Sequence, residues 1–343
     1  MRLKKIAFIF ILLLLVLAGF YIYYNRQINR PPKNISARDF TIQAGENINQ
    51  IAAHLQSAGL IKSVFLFKFY VRQVDAAKLL KAGDYHLFAP LSLRDLVVLL
   101  AAGGEDKRET EIRFLEGWRI DDYAAYLADK KLPAAADFAV FAKTPISERP
   151  ELREKYDFLA DAPGAASLEG YLFPDTYKIF QSAGAVDLTV KMLDNFGLKL
   201  DEKIRADIAR QGKTVFAIIT MASLLEKEVR TEEDMKIVSG LFWQRIKNGQ
   251  ALESCATLAY ALGINKKQYT YEDTRINSPY NTYTHQGLPP GPVANPGLRA
   301  IRAAVYPIET EYNYFLSRPD TGETVFSQTY AEHNRNKAKY LNP

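Results

Sequence analysis

The longest apolar stretch of the chain lies close to its start. From Ile6 to Tyr24 the sequence IAFIFILLLLVLAGFYIYY contains no charged residue. A helix of this length extends about 28 Å, which is close to the hydrocarbon thickness of a bilayer. Tyr21, Tyr23 and Tyr24 stand at its far end, where an aromatic belt would lie. The pattern predicts a retained N-terminal transmembrane anchor at residues 1–25.

A cleaved signal peptide is the competing interpretation of this run. The run is long for the apolar part of a signal peptide, and no clear small-residue cleavage site follows it. Basic residues flank it on both sides, at Arg2, Lys4, Lys5, Arg26, Arg30 and Lys33. Because the preceding tail is very short, we expect the tail on the inner side of the membrane and the body of the protein on the outer side. Residues 26–38 are predicted to be a polar linker.

A strand followed by a glycine turn and an amphipathic helix occurs twice in the pattern. In residues 40–55 an alternating segment gives way, after Gly45, to apolar residues at helical spacing. Residues 112–127 repeat this layout around Gly117. The glycine, an isoleucine, an Ala-Ala pair and a leucine align in the two copies, which predicts an internal repeat.

Further periodic segments lie between the two copies. We predict a helix over Val64–Val74, a strand over Ala82–Phe88 and a Ser-capped helix over Ser92–Ala102. The order strand-helix-helix-strand resembles a LysM module, a small fold that often binds N-acetylglucosamine polymers. The resemblance implies glycan affinity, and a spacer without sugar affinity is the alternative. We assign residues 39–165 to this LysM-like region with an internal repeat.

The rest of the chain, residues 166–343, is predicted to be a second domain of mixed structure. Its predicted elements are an extended segment at Leu168–Tyr177, helices at about Asp187–Arg210 and Lys213–Arg230, a helix from a cap at Thr231 through Asn248, a hairpin of Tyr312–Ser317 and Glu323–Ser327, and a final polar helix. Strands and helices that alternate without a regular βαβ order predict an α+β fold.

Composition narrows the possible functions. The chain has 343 residues, a net charge of +5, one cysteine and four histidines. A mild charge without a dense basic stripe does not indicate nucleic-acid binding, and one cysteine excludes an intramolecular disulfide framework. The sequence contains no HExxH, GxSxG, SxxK or P-loop motif. Because the histidines have no close metal-ligand spacing, we predict neither a metal nor a cofactor.

The helix predicted at about Lys213–Arg230 carries the most informative carboxylates. Helical periodicity places Glu226 within an apolar stripe and Glu228 on a side with little access to solvent. It places Thr220 and Ser223 on the solvent face. A buried carboxylate either pairs with a cation or has a raised pKa. A raised pKa suits a group that donates a proton to a glycosidic oxygen. Periodicity alone favours the structural ion pair.

A loop rich in proline and glycine, residues 280–297, is the second candidate region. Its sequence YNTYTHQGLPPGPVANPG displays amides and hydroxyls beside tyrosine rings. Such rings stack on sugar faces, and Asn and Thr side chains bind hydroxyl and acetamido groups. Composition leaves a sugar site and a rigid connection without a ligand equally open. The candidate substrate contacts are Asn281, Thr282, Tyr283 and Asn295, together with Ser223 and Glu228.

Six short motifs are spread over most of the chain. They are Leu168–Tyr177 (LEGYLFPDTY), Ala222–Glu228 (ASLLEKE), Tyr280–Tyr283 (YNTY), Gly287–Pro292 (GLPPGP), Asn295–Gly297 (NPG) and Glu332–Asn334 (EHN). Together they resemble the motifs of the YceG-like family of endolytic murein transglycosylases. The resemblance covers nearly the whole chain, and the combination of motifs is highly specific where each alone is not.

This resemblance implies an activity and a mechanism. Members of the family cleave the MurNAc-GlcNAc bond inside peptidoglycan strands without water. The first glutamate of their Glu-Lys-Glu motif, Glu226 here, is the catalytic acid. It would protonate the leaving oxygen and then act as base while the MurNAc 6-hydroxyl attacks, which leaves a 1,6-anhydro end. An internal nucleophile makes a second carboxylate unnecessary.

The resemblance also implies a location and partners. The chain would be a single-pass protein of the inner membrane, with a cytoplasmic N-terminus and its catalytic domain, residues 166–343, in the periplasm. Its substrate would be peptidoglycan glycan strands, and it would help to terminate their elongation. Penicillin-binding proteins and the cell-wall synthesis machinery would be its protein partners.

One departure from the family pattern occurs in Leu252–Thr257. Cys255 stands where the family commonly has an aspartate, while a carboxylate is present at Glu253. Cys255 is most simply interpreted as a small buried residue. Two alternatives to the transglycosylase are a non-catalytic glycan-binding scaffold and a lysozyme-like hydrolase. The hydrolase needs a second carboxylate, for which Glu228 and Glu253 are the first candidates.

Overall fold

The computed structural model describes residues 18–19, 21–31, 38–87, 91–103, 109–266 and 269–341. Within these residues the chain combines helices with three two-stranded sheets, which confirms the predicted α+β class. Most of the predicted anchor lies outside the described residues. No helix in the described part has both the length and the apolar character needed to cross a membrane.

The helices and strands have the following bounds. The helices are α1 (Ile48–Ser57), α2 (Val64–Gln73), α3 (Leu93–Ala102), α4 (Ile120–Asp129), α5 (Phe138–Lys143), α6 (Pro150–Lys155), α7 (Ala185–Lys199), α8 (Glu202–Arg210), α9 (Val215–Glu228), α10 (Glu232–Lys247), α11 (Cys255–Leu262), α12 (Leu298–Val305) and α13 (Tyr330–Tyr340). The strands are β1 (Arg38–Ile42), β2 (Gly83–Leu87), β3 (Glu109–Arg113), β4 (Thr176–Phe180), β5 (Tyr314–Ser317) and β6 (Thr324–Ser327). Residues 21–29 are also helical.

The first of two compact units contains the described parts of Met1–Thr110, Lys131–Asp137 and Lys178–Val190. Its strands β1 and β2 pair antiparallel, with Phe40 opposite Tyr85. Helices α1, α2 and α3 pack in sequence order on one core. The order strand-helix-helix-strand is the one predicted for this region. Fully buried core residues include Leu55, Phe67, Leu96 and Leu100.

Both copies of the predicted repeat form a strand, a turn and a helix. The turns require glycine, because Gly45 has φ +88° and Gly117 has φ +76°, a left-handed conformation that other residues rarely adopt. Asn47 caps α1 by accepting hydrogen bonds from the N–H groups of Asn49 and Gln50. The corresponding helix α4 buries Ile120, Tyr123 and Leu127. The layout predicted from periodicity is therefore confirmed for both copies.

The second unit contains Glu111–Lys130, Phe138–Tyr177 and the described parts of Lys191–Pro343. Its central helix is α9, which packs against α8, α10, α11 and α12. The predicted hairpin is present, with β5 and β6 antiparallel and Phe315 opposite Phe326. The final polar helix, α13, packs on both of these strands.

Two predicted segments differ from the structure. The single helix predicted at about Asp187–Arg210 is divided into α7 and α8. Asp201 causes the break, because its carboxylate caps α8 by accepting a hydrogen bond from Ile204 N–H at 2.8 Å. The segment Leu168–Tyr177 is a series of turns until β4 begins, because its aromatic side chains fold inward, with Tyr171 fully buried.

Candidate active site

The central helix α9 starts at a threonine cap and is enclosed along its middle. Thr214 Oγ1 accepts a hydrogen bond from Ala217 N–H at 3.1 Å. The solvent face predicted for Thr220 and Ser223 is wrong, because both residues are fully buried by the surrounding helices. Their hydroxyls donate to carbonyls about one turn earlier, at 2.8 and 2.7 Å respectively, so they need no water.

The carboxylate of Glu226, in the last turn of α9, faces the start of α12. Its Oε2 accepts a hydrogen bond from Gly297 N–H at 2.9 Å, and Gly297 is the N-cap residue of α12. A helix N-terminus favours negative charge. Glu226 is only half-buried, and within the described chain no hydrogen bond reaches its Oε1. One carboxylate oxygen is therefore held, and the other is open to a ligand.

The surroundings of Glu226 favour its protonated form. Burial raises the pKa of Glu226 above its ordinary value, and the nearby carboxylate of Glu116 adds to this effect. Arg299 opposes it but forms its ion pair with Glu116, at 2.9 Å. Lys227 opposes it as well, while its ammonium donates to a backbone carbonyl at 3.3 Å. The ion pair that periodicity alone favoured for Glu226 is not formed with either of these cations.

Two glycines allow the backbone to approach this carboxylate. A Cβ atom on Gly117 would lie 3.4 Å from Glu226 Cγ, and the residue has a positive φ in addition. A Cβ atom on Gly297 would overlap Oε1 of Glu116. A side chain at Gly117 would therefore strain the turn, and one at Gly297 would displace the Glu116 side chain.

Asn295 holds together the loops beside the carboxylate. It is fully buried, and its Nδ2 donates to the Trp118 carbonyl at 3.1 Å and to Glu169 Oε1 at 2.9 Å. Its Oδ1 accepts the backbone N–H groups of Gly170 and Leu172, at 2.8 and 3.1 Å. Asn295, which was predicted to contact substrate, therefore makes its hydrogen bonds inside the protein. It shapes the site by holding the surrounding loops together.

Glu169 is a buried carboxylate that the sequence reasoning did not single out. It is 5% exposed and accepts the Ile120 N–H at the start of α4, at 3.1 Å to Oε1 and 3.3 Å to Oε2. Burial raises the pKa of Glu169 to about 8. The available signal was a carboxylate beside the buried aromatic residues of the motif Leu168–Tyr177. Through Asn295, this carboxylate connects α4 with the loop that carries Gly297.

The model of the YceG-like family matches residues 40–339 of this chain. The chain belongs to the YceG-like family. Over 95% of its length it is 31% identical to the endolytic murein transglycosylase of Bacillus subtilis (strain 168), and it covers 91% of that protein. It is 30% identical to the protein of the same name from Streptococcus pneumoniae serotype 2 (strain D39), covering 98% of this chain and 65% of the relative.

A solved structure agrees with this membership. The crystal structure of a yceG-like protein from Listeria monocytogenes aligns with 88% of this chain and 98% of its own, with a TM-score of 0.58 and 30% sequence identity. The similarity therefore extends over both compact units of this YceG-like chain.

The second glutamate of the YceG-like motif, Glu228, supports a neighbouring helix. The residue is partly exposed but its carboxylate is enclosed, and burial raises the pKa of Glu228. Its Oε1 accepts the Ser254 hydroxyl and, at 3.4 Å, the Ala256 N–H at the start of α11. Both of these hydrogen bonds come from the start of α11 and reach the same oxygen, so Glu228 holds that end of α11.

The Asn-Thr-Tyr segment lies against the same end of α11. Asn281 is fully buried, and its amide donates to two loop carbonyls while its Oδ1 accepts Tyr283 N–H at 3.0 Å. Thr282 Oγ1 accepts Ser254 N–H at 3.1 Å and bonds Thr257 Oγ1 at 2.9 Å. Tyr283 is half-buried and is the member of this segment whose ring reaches the surface.

The structure also locates three other residues discussed from the sequence, Cys255, Glu253 and Ser223. Cys255 is exposed, not buried as predicted, because it occupies the first position of α11, with Sγ 3.3 Å from the Tyr283 hydroxyl. Glu253 is exposed and lies 3.9 Å from Arg245. Ser223 accepts the Val293 N–H at 3.0 Å, which ties the Pro/Gly-rich loop to α9.

The residues around the two glutamates form two groups, in which Glu226, Glu228, Asn281 and Thr282 are the predicted members. We name as the acid site Glu116, Gly117, Glu226, Gly297 and Arg299. We name as the support cluster Glu228, Ser254, Thr257, Asn281 and Thr282. Among the residues that the structure describes, no group of His, Cys, Asp and Glu could hold a metal ion.

Proposed function

We propose that this chain is an endolytic murein transglycosylase that cleaves MurNAc-GlcNAc bonds within peptidoglycan strands and leaves 1,6-anhydroMurNAc ends. Its relatives of that name are similar over nearly the full chain. The observation that carries the proposal is the carboxylate of Glu226, which is desolvated, has a raised pKa and keeps one oxygen open. These are the properties of a general acid for a glycosidic oxygen.

Glu226 serves as acid and then as base in this proposal. The protonated carboxyl donates its proton to the leaving GlcNAc oxygen while positive charge develops at C1 of MurNAc. The Gly297 N–H and the start of α12 then stabilise the carboxylate that remains. That carboxylate accepts the proton of the MurNAc 6-hydroxyl as its oxygen bonds to C1. Bond formation within one sugar needs no bound water.

The hydrolase alternative depends on a second carboxylate near the acid. Glu226 and Glu228 are separated by about 200° around the helix, so they face different sides. Glu228 is engaged in the support cluster, and Glu253 lies beside Arg245. Glu116, which the sequence reasoning did not consider, is the carboxylate that acts on Glu226, but it is paired with Arg299. This pairing favours the transglycosylase over the hydrolase.

The proposal includes a membrane location and a glycan-binding first unit. The uncharged run Ile6–Tyr24 supports a single-pass anchor of the inner membrane with the body in the periplasm. The paired strands β1 and β2 with α1 and α2 between them support a LysM-like module. Peptidoglycan strands are the proposed ligand of both units, and penicillin-binding proteins are the proposed partners in terminating strand growth.

Mass analysis of glycan ends after digestion of purified murein tests this function. We expect the full chain to release 1,6-anhydroMurNAc ends and Glu226→Gln to release none. Reducing MurNAc ends, lost also in Glu116→Gln, would instead establish a hydrolase that uses Glu116. Binding to murein without any product from the unmodified chain would establish the non-catalytic scaffold.

A further inference from the structure

The outer face of α2 carries an exposed aromatic pair. Phe65 is 65% and Phe69 is 43% exposed, and their rings stack with centroids 6.2 Å apart. Lys68 and Arg72 fall on the same face at spacings of three and four residues, and the sequence of α2, VFLFKFYVRQ, contains no acidic residue. The opposite face supplies core residues, namely Leu66, Phe67, Tyr70 and Val71. Helix α2 is therefore apolar on both faces and basic only on the outer one.

This outer face adjoins the end of the uncharged run. The Tyr24 ring meets Phe69 edge-on at a centroid distance of 5.4 Å. Six residues further along the chain, Arg30 lines a shallow pocket together with Lys62, just before α2. The helical residues 21–29 consequently run antiparallel beside α2, with Tyr24 level with Phe69.

We propose that the outer face of α2 lies in the lipid headgroup layer of the membrane that holds the anchor. The inference rests on the proposed anchor, because Tyr24 marks the end of the run and hence the hydrocarbon boundary. Phe69 then lies at that boundary, and Phe65, one turn away, lies about 6 Å farther out. The headgroup layer is about 5–8 Å thick on each side, so it contains both rings.

The chemistry of this face fits anionic phospholipid. Aromatic rings concentrate at the membrane interface, and basic side chains beside them are attracted to anionic headgroups. Lys68 and Arg72 supply that charge on α2, and Arg30, which follows the uncharged run, adds to it. Contact with lipid would hold the first unit against the membrane surface through two adjacent helices.

Depth-dependent fluorescence quenching tests the contact in the full chain. Single cysteines replace Val74, Phe69, Phe65 or Lys62 in a Cys255→Ser background and carry an environment-sensitive fluorophore. The protein is reconstituted in vesicles of phosphatidylcholine and phosphatidylglycerol, and flotation measures its insertion. A spin-labelled headgroup lipid and aqueous iodide are the two quenchers. Lys62, which is exposed just before α2, is the matched control.

We expect quenching by the headgroup spin label to be several-fold greater at positions 69 and 65 than at 62, and iodide quenching to decrease in the order 62, 65, 69, 74. Inserted protein whose probe at 69 responds to iodide as strongly as the probe at 62 would overturn the contact. If the probe at position 69 is shielded from both quenchers, a second copy or another protein covers this face, and the lipid contact is refuted. Protein that does not float with the vesicles would refute the anchor, and the lipid contact with it.

Discussion

Glu226 and Glu228 belong to the same turn of α9, yet the protein uses them differently. Burial raises the pKa of both carboxyl groups. Each also accepts a backbone N–H at the start of another helix, Gly297 before α12 for Glu226 and Ala256 in α11 for Glu228. Desolvation and a helix N-terminus are thus common to both and do not distinguish an acid from a structural group.

The remaining bonds of the two carboxylates make the difference. Glu228 also accepts the Ser254 hydroxyl and is enclosed, with Arg245 acting to lower its pKa. Glu226 keeps an open oxygen on a half-buried residue, while its neighbour Arg299 is engaged by Glu116. Of the two carboxylates, Glu226 therefore has fewer protein donors, one against two, and a neighbouring arginine that is engaged elsewhere, which leaves it more available for chemistry.

The largest effect that separates the two is expected from matched amide substitutions. Glu226→Gln removes the transferable proton and should lower the rate of anhydro-end formation about 10³-fold, within the usual range for general acid catalysis. Glu228→Gln keeps an acceptor for Ser254 and should stay within about tenfold of the unmodified chain, because the loss is one of positioning. Initial rates on purified murein measure both. Equal losses would contradict the assignment of separate roles.

The second largest effect is expected from the glycine that holds the acid. Gly297→Ala places a Cβ atom onto Glu116 Oε1, so it must either displace the Glu116 side chain, which acts on the pKa of Glu226, or move the N–H that fixes Glu226. A displacement of about 1 Å can cost about 10² in kcat, so a fall of that size is expected with a small change in KM. Gly184→Ala is the matched control, since its Cβ would meet only Asp187 Oδ2 at an ordinary 3.5 Å. An unchanged kcat in Gly297→Ala would show that neither the Glu116 side chain nor the exact position of this N–H matters to the acid.

Local patterns were sufficient to predict many elements of this fold. Gly45 and Gly117 marked the turns of the repeat, and Thr231 marked the start of α10, where its hydroxyl accepts Asp234 N–H at 3.1 Å. Caps and turns depend on neighbours in sequence, so they can be recognised without the fold. The exposed face assigned to Thr220 and Ser223 was wrong because α9 is surrounded by other helices, which no local pattern reports.

The site was predictable only in part, for a related reason. Glu226 could be singled out because a charged residue within an apolar stripe needs an explanation. Its partner Gly297 is 71 positions away, and Glu169 and Asn295 are separated by 126. Such contacts are set by the packing of distant segments. Periodicity therefore singled out Glu226, whose role as acid was implied by the family resemblance, and it gave no indication that Asn281, Thr282 and Asn295 are engaged inside the protein.

Stability should be affected less than activity, and here substitution of Glu228 should cost more than substitution of Glu226. Glu228→Ala leaves Ser254 and the Ala256 N–H without their buried acceptor, which should lower the free energy of unfolding by about 1–3 kcal/mol. Glu226→Ala should cost less, because its single partner, Gly297 N–H, can bond water at the half-buried site. Urea unfolding of the two variants measures the difference. A greater loss in Glu226→Ala would contradict the support role of Glu228.

A separate effect, on the pH dependence of stability, concerns Glu169, a third carboxylate, which is buried and accepts hydrogen bonds from the Ile120 N–H and the Asn295 amide. Burial raises the pKa of Glu169 from 4.5 to about 8, so between these values the folded chain keeps a proton that the unfolded chain releases. Stability should therefore fall as pH rises from 4.5 to about 8, by at most about 1.4 kcal/mol per pH unit.

Glu169→Gln imitates the protonated form and should remove this slope from the unfolding free energy measured across that pH range. Glu233→Gln, at an exposed position of α10, controls for the loss of one carboxylate. If the slope persists in Glu169→Gln, the carboxylate is charged in the folded state and is held by Ile120 N–H and the Asn295 amide. Glu169 would then be a carboxylate held by protein donors, as Glu228 is by Ser254 and Ala256, and burial alone would not be enough to keep a proton on it.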